Sequence, residues 1–217
     1  MRPTVCFLLI SSLCFPATPT FARDRDVAAE RYTRCVREQS SDHLSTERTA
    51  STESCRTRNQ DDNNQAHISI IYADPFIART APNDPSSPPA TAIMFDLAYR
   101  TDNSIVLSEG YAPADFYRAV FVIGAQQYQR DLTISRTQPR GCMSTGGGIF
   151  STSGCEYREL LLLALTTDDI ATARAAYAAN HAARITFRLH ARRGGSLDMW
   201  IDAAEIVGMD DWLGFAR

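Results

Sequence analysis

The chain has 217 residues, 22 basic against 25 acidic side chains and a net charge of −3. That balance offers no basic field to nucleic acid or to an anionic membrane surface. Every base is Arg and no Lys occurs, which excludes lysine nucleophiles, Schiff-base chemistry and P-loop nucleotide binding.

Residues 1–22 read as a signal peptide. Arg2 supplies a positive charge, and the apolar run Val5–Phe15 is too short to span a bilayer as a helix. Pro16 and Pro19 follow, then Thr20-Phe21-Ala22, which places small residues at −3 and −1 of a cut after Ala22. The abrupt change to Arg23-Asp24-Arg25-Asp26 leaves no amphipathic continuation. The expected location is therefore the periplasm or the medium. No later apolar run is long enough to cross a membrane as a helix.

Residues 23–62 are polar and helix-prone. Asp26 is suited to cap a first helix carrying Val27, Tyr32, Cys35 and Val36, and a second helix is expected from about Thr46 to Arg58, carrying Cys55. Neither has enough apolar surface to fold alone, so the pair must lean on the rest of the protein. Asp61-Asp62-Asn63-Asn64 reads as a solvated turn, since it lacks calcium-loop spacing and a distal Glu.

From 67 to 217 the period changes to that of strands, and one domain is expected. Ile68–Tyr72 and Ala92–Tyr99 are strands separated by the loop Pro82–Pro89, which holds four prolines. Ile105–Leu107 follows, then Arg118–Ile123, whose continuous apolar character predicts burial on both faces. Gln129–Arg136 alternates, and Leu160–Leu165 reads as a central strand. Thr167 is expected to cap a helix over about 168–179, with Asp168 and Asp169 at the positive end of its dipole. Asp210 and Asp211 are expected to begin a short terminal helix, and Ile206, Val207, Trp212, Leu213 and Phe215 to cap the core.

The last hairpin is defined by two alternating sets, Ile185/Phe187/Leu189 and Leu197/Met199/Ile201. A two-residue Gly194-Gly195 turn would put these sets on opposite faces. A loop of odd length pairs 189 with 199 and 187 with 201 and keeps one core face. That register sets His190 against Asp198 and Arg188 against Trp200, and turns Trp200 outward. The whole pattern predicts a mainly β fold, an antiparallel β-sandwich or partly open barrel with one or two helices and an N-terminal disulfide-linked helical appendage.

Four cysteines remain after export: Cys35, Cys55, Cys142 and Cys155. Two disulfides are expected, and of three connectivities the local pairs 35–55 and 142–155 are favoured. No Cys-x-x-Cys occurs and the four His residues lack pairwise ligand spacing, so no metal or other cofactor is expected.

In its C-terminal half the chain resembles the exported proteobacterial family called invasion-associated locus B. The likeness lies in the order Cys142, Gly154-Cys155-Glu156-Tyr157, the leucine-rich strand, a helix, Ile185-Thr186-Phe187, and Ile206-Val207-Gly208 to Trp212. The resemblance implies a secreted or periplasmic β-sandwich and carries over no site residue beyond the Cys142–Cys155 pair.

No catalytic motif stands out. Ser144 and Ser153 lie near glycines without a Gly-x-Ser-x-Gly elbow, and Gly146-Gly147-Gly148 lacks the following helix start of an anion cradle. The expected function is a non-enzymatic binding module of a bacterial envelope, with Arg188, His190, Asp198 and Trp200 as its binding face and a protein or glycan of the envelope or host as partner. A secreted hydrolase with a non-standard site is the competing class.

Overall fold

The computed structural model describes residues 29–39, 48–56, 59, 68–81, 89–102, 113–145, 152–193 and 195–212. The expected signal peptide, the Asp26 cap, the turn at 61–64, most of the proline-rich loop, the strand at 105–107 and the triple glycine at 146–148 lie outside them.

Among the described residues there are three helices and ten strands. Residues 29–35 form α1. The strands are β1 (Arg37–Gln39), β2 (Arg48–Ser51), β3 (Ile68–Ala81), β4 (Ala90–Asp102), β5 (Phe116–Ile123), β6 (Gln126–Asp131), β7 (Thr133–Thr145), β8 (Thr152–Leu165), β9 (Arg184–Ala191) and β10 (Ser196–Asp202). Helix α2 (Thr167–Ala179) joins β8 to β9, and α3 (Ala203–Asp210) follows β10.

All strand pairs are antiparallel. One sheet has the order β1-β2-β3-β4-β8-β7 and the other β10-β9-β5-β6. The sheets are not closed into a barrel. Their facing surfaces carry the alternate apolar residues of each strand: Ile93, Phe95 and Leu97 from β4, Leu161 and Leu163 from β8, Phe121 and Ile123 from β5, and Phe187 and Leu189 from β9. Phe95 of the large sheet meets Phe187 of the small sheet edge-on, with ring centroids 5.3 Å apart. This is the expected sandwich.

The N-terminal region departs from the expected helical hairpin. Helix α1 is present, but Arg48–Ser51 is a strand paired with both β1 and β3, and Glu53–Cys55 is one 3-10 turn. The run is too short and polar to bury a helical stripe, whereas the free edge of β3 offers it backbone partners. The expectation that the region leans on the rest is met: Ala29, Tyr32 and Val36 belong to the core. Helix α1 crosses α3 at Gly208, where an added Cβ would lie 2.6 Å from both the Ala29 carbonyl oxygen and the Tyr32 Cβ.

Other details also shift. Helix α2 is capped by Thr166, one residue before the expected Thr167, in a capping box with Asp169. Asp210 and Asp211 end α3 instead of beginning a helix. Acids are unfavourable at that negative pole, and Arg174 of α2 offsets the pair by reaching both carboxylates at 2.6 Å. Cys142 and Cys155 are directly opposite on β7 and β8 and form a disulfide. Cys35 and Cys55, expected as the second disulfide, are instead free thiols that sit beside each other as a hydrogen-bonded pair.

Candidate binding face

The terminal hairpin places the expected face. Leu197 pairs with Leu189, Met199 with Phe187 and Ile201 with Ile185, so both apolar sets enter the core. The parity is that expected, but the register is offset by two residues. Asp198 therefore stands opposite Arg188, His190 opposite Ser196, and Trp200 opposite Thr186. The cause lies in the loop. The amides of Arg192 and Arg193 donate to the carbonyls of Asp115 and Ala114 at 3.0 and 3.1 Å, which withdraws both residues from the hairpin ladder. The turn keeps its odd length and moves one residue toward the N-terminus, closed by the bond from the Ala191 amide to the Gly195 carbonyl.

Arg188, His190, Asp198 and Trp200 all line one open groove of about 580 Å³ on the outer face of the small sheet. Val120, Val122, Gln127 and Thr186 complete its floor and sides. The valines correct another expectation. Strand β5 is covered on one face only: Ala119, Phe121 and Ile123 are buried, while Val120 and Val122 remain half-exposed. Their alternation with the buried set was the sequence signal for an outward apolar stripe, masked by the unbroken apolar run.

The charges in the groove balance. Arg188 grips Asp198 through two bonds of 2.7 Å, Nε to one carboxylate oxygen and a terminal nitrogen to the other. Arg188 holds the Asp198 carboxyl below its ordinary range, with His190 adding a smaller contribution of the same sign. Both partners are more than half exposed, so solvent screens the pair and its contribution to stability is small.

Trp200 is outward-facing and half-buried. The cation on it is Arg184, whose guanidinium carbon lies 3.6 Å from the ring centroid, and not Arg188. Arg184 also faces Asp202 at 3.8 Å, and Asp202 accepts a bond of 3.1 Å from the Tyr32 hydroxyl of α1. Asn59 holds the Trp200 backbone from the other side, donating to its carbonyl at 2.9 Å and accepting from its amide at 2.8 Å. Arg184 and Asn59 had no signal in the local sequence pattern, because both act across a sheet edge or a diagonal pair.

Two buried carboxylates outside the groove have structural partners. Asp96 on the outer face of the large sheet accepts two bonds from Arg158, at 2.7 and 2.6 Å, and a third from Arg56 at 3.2 Å. Glu205 is fully buried and accepts from the Thr52 hydroxyl and, at 3.3 Å, from the Ile77 amide. Ser144 and Ser153 are register partners on β7 and β8, strands of the large sheet. Among the described residues no three His, Cys, Asp or Glu side chains come together as a metal site, and no helix is long and apolar enough to cross a membrane. Comparison with protein-family models, with curated proteins and with solved structures gives no match.

Proposed function

We propose that this chain is an exported, non-enzymatic binding module of a bacterial envelope, periplasmic or secreted, which takes its partner in the groove of the small sheet. The observation that carries the reading is the convergence of Trp200, the Arg188–Asp198 pair and His190 with the half-exposed Val120 and Val122. An apolar floor with a few fixed polar groups is the usual make-up of a recognition site, and Trp and Arg are the residues most enriched at binding hot spots. The partner is a neutral segment of protein or glycan, since the charges on the groove cancel. The leader-like residues 1–22 and the resemblance of the C-terminal half to the invasion-associated locus B family support the compartment.

The test measures binding of the mature protein to immobilised envelope polysaccharides, host glycans and periplasmic peptides. Trp200→Ala and Arg188→Ala should each weaken capture by about tenfold or more. Melting temperature should fall by only a few degrees, as expected for surface side chains. Unchanged capture in both variants would remove the groove from the function. Covalent labelling of the wild-type protein by broad hydrolase probes would replace a binding module with a secreted hydrolase.

A further inference from the structure

Two contacts from the N-terminal region hold the Trp200 strand, and both lead back to the same pair of cysteines. Cys35 is the last residue of α1, whose Tyr32 reaches Asp202 and through it Arg184 above the indole. Cys55 ends the 3-10 turn, and Asn59, four residues on, binds both backbone groups of Trp200. Between these arms the Ser54 hydroxyl donates to the Cys35 carbonyl at 2.8 Å, which draws the turn onto the end of α1. Both thiols are half-buried and in mutual contact, so a small or protein-borne oxidant can reach them.

We propose that Cys35 and Cys55 form a regulatory disulfide that fastens this two-armed clamp onto the Trp200 face, and that its reduction loosens the clamp. The effect on ligand binding rests on the function proposed above; the effect on the clamp does not.

The chemistry balances with a disulfide of an exported thiol oxidoreductase as oxidant. Cys35 as thiolate attacks that disulfide and forms a mixed disulfide, expelling one oxidoreductase thiolate. Cys55, once deprotonated, attacks the Cys35 sulfur and expels the second. Two electrons and two protons leave the pair, and the oxidoreductase departs as a dithiol. The balance is the same with the two thiols in either order; burial first, and then the hydrogen bond with Cys35, push the Cys55 thiol up, which slows its own step.

Amide hydrogen exchange on the mature protein reads the clamp without any ligand. In protein oxidised by the disulfide form of a thiol oxidoreductase, non-reducing peptide mapping should link Cys35 to Cys55, and the Trp200 amide should be protected. A Cys35→Ser/Cys55→Ser variant should exchange that amide about tenfold faster, with Phe187 and Leu189 unchanged. Cys35→Ala/Cys55→Val keeps the apolar volume and should behave alike if the serine pair folds poorly. Asn59→Ala should release the Trp200 amide even in oxidised protein. Failure of the 35–55 link to form, or equal Trp200 exchange with and without it, overturns the proposal. A clamp that responds while Trp200→Ala leaves binding untouched overturns the proposed function alone.

Discussion

The side-chain amide of Asn59 pairs with both backbone groups of Trp200, donating to the carbonyl at 2.9 Å and accepting from the N–H at 2.8 Å. β10 is an edge strand of the small sheet, and at this position one side chain does what a neighbouring strand would do. Asn59 is itself buried and forms an isolated bridge with Ala73 of β3. One residue therefore ties the edge of the small sheet to the large one and covers part of an edge that would otherwise invite pairing.

Asn59→Ala removes a donor and an acceptor at once and leaves two backbone groups of Trp200 unpaired. The expected loss is about 1–3 kcal/mol in urea unfolding, the cost of a buried group left unsatisfied. Asn59→Asp should be as harmful near neutral pH, because a carboxylate cannot donate to the Trp200 carbonyl. Size-exclusion chromatography should also show concentration-dependent dimer in Asn59→Ala, through the opened β10 edge. A variant as stable and as monomeric as wild type would show that water replaces the amide without loss.

Asp169 joins helix α2 to the small sheet. It is buried, caps the helix by accepting from the Thr166 amide and hydroxyl, and takes two bonds from Arg130 of β6, at 2.5 and 2.9 Å. Burial alone would raise this carboxyl, but Arg130 and Thr166 together hold it below its ordinary value. A depressed folded-state pKa means stability that is present above the unfolded pKa and is lost as pH falls through the folded one. Asp169→Ala should cost about 3–5 kcal/mol at neutral pH, because it strands Arg130 and removes the cap. Its deficit relative to wild type should shrink below about pH 4, where the unfolded carboxyl protonates. A deficit that does not depend on pH would mean that the carboxylate charge is not what binds these elements.

The sequence pattern made the sandwich legible because its signal is a period of two. That period fixes which residues of β9 and β10 enter the core, and it requires Trp200 to face outward. It says nothing about phase among registers of equal parity. The offset of two residues came from the amides of Arg192 and Arg193 bonding to a distant loop, a tertiary contact with no local signature. The same limit hid β1 and β2, whose few polar residues become strands only because the edge of β3 is there to receive them. At the groove, Arg188, His190, Asp198 and Trp200 followed from alternation. Arg184 and Asn59 did not, because their partners lie on a diagonal and across an edge.

Gly208 marks the point of closest approach between α1 and α3. A Cβ there would lie 2.6 Å from the Ala29 carbonyl oxygen and 2.6 Å from the Tyr32 Cβ, both parts of the backbone or its first side-chain atom. Neither can swing aside, so α1 as a whole must move. Gly208→Ala should gain a little helix propensity in α3 and still lose about 1–3 kcal/mol net through overpacking. The bond from the Thr33 hydroxyl to the Gly208 carbonyl, 2.9 Å, should break with it. Limited proteolysis should then cut first within the N-terminal region. Unchanged stability and an unchanged cleavage pattern would show that α1 adjusts freely on α3.

Glu159 stands on the inner face of β8, fully buried among core residues. Neither carboxylate oxygen makes a well-aligned hydrogen bond, although the Tyr99 hydroxyl and the amides of Asp115 and Phe116 lie close enough to favour the charge somewhat. Burial outweighs them, with the nearby Asp115 carboxylate adding to it, and the Glu159 carboxyl is raised above its ordinary value. The sign is opposite to that of Asp169. A raised folded-state pKa gives a contribution that is complete below the unfolded pKa, about 4.3 for Glu, and is lost as pH climbs through the folded value. Glu159→Gln keeps the shape and cannot ionise. Its stability relative to wild type should therefore rise as pH increases from about 4 into the neutral range. Chemical unfolding of both proteins across that span checks this. Parallel curves for wild type and Glu159→Gln would mean that water or a protein donor already supports the carboxylate inside the core, and that Glu159 is charged in the folded state.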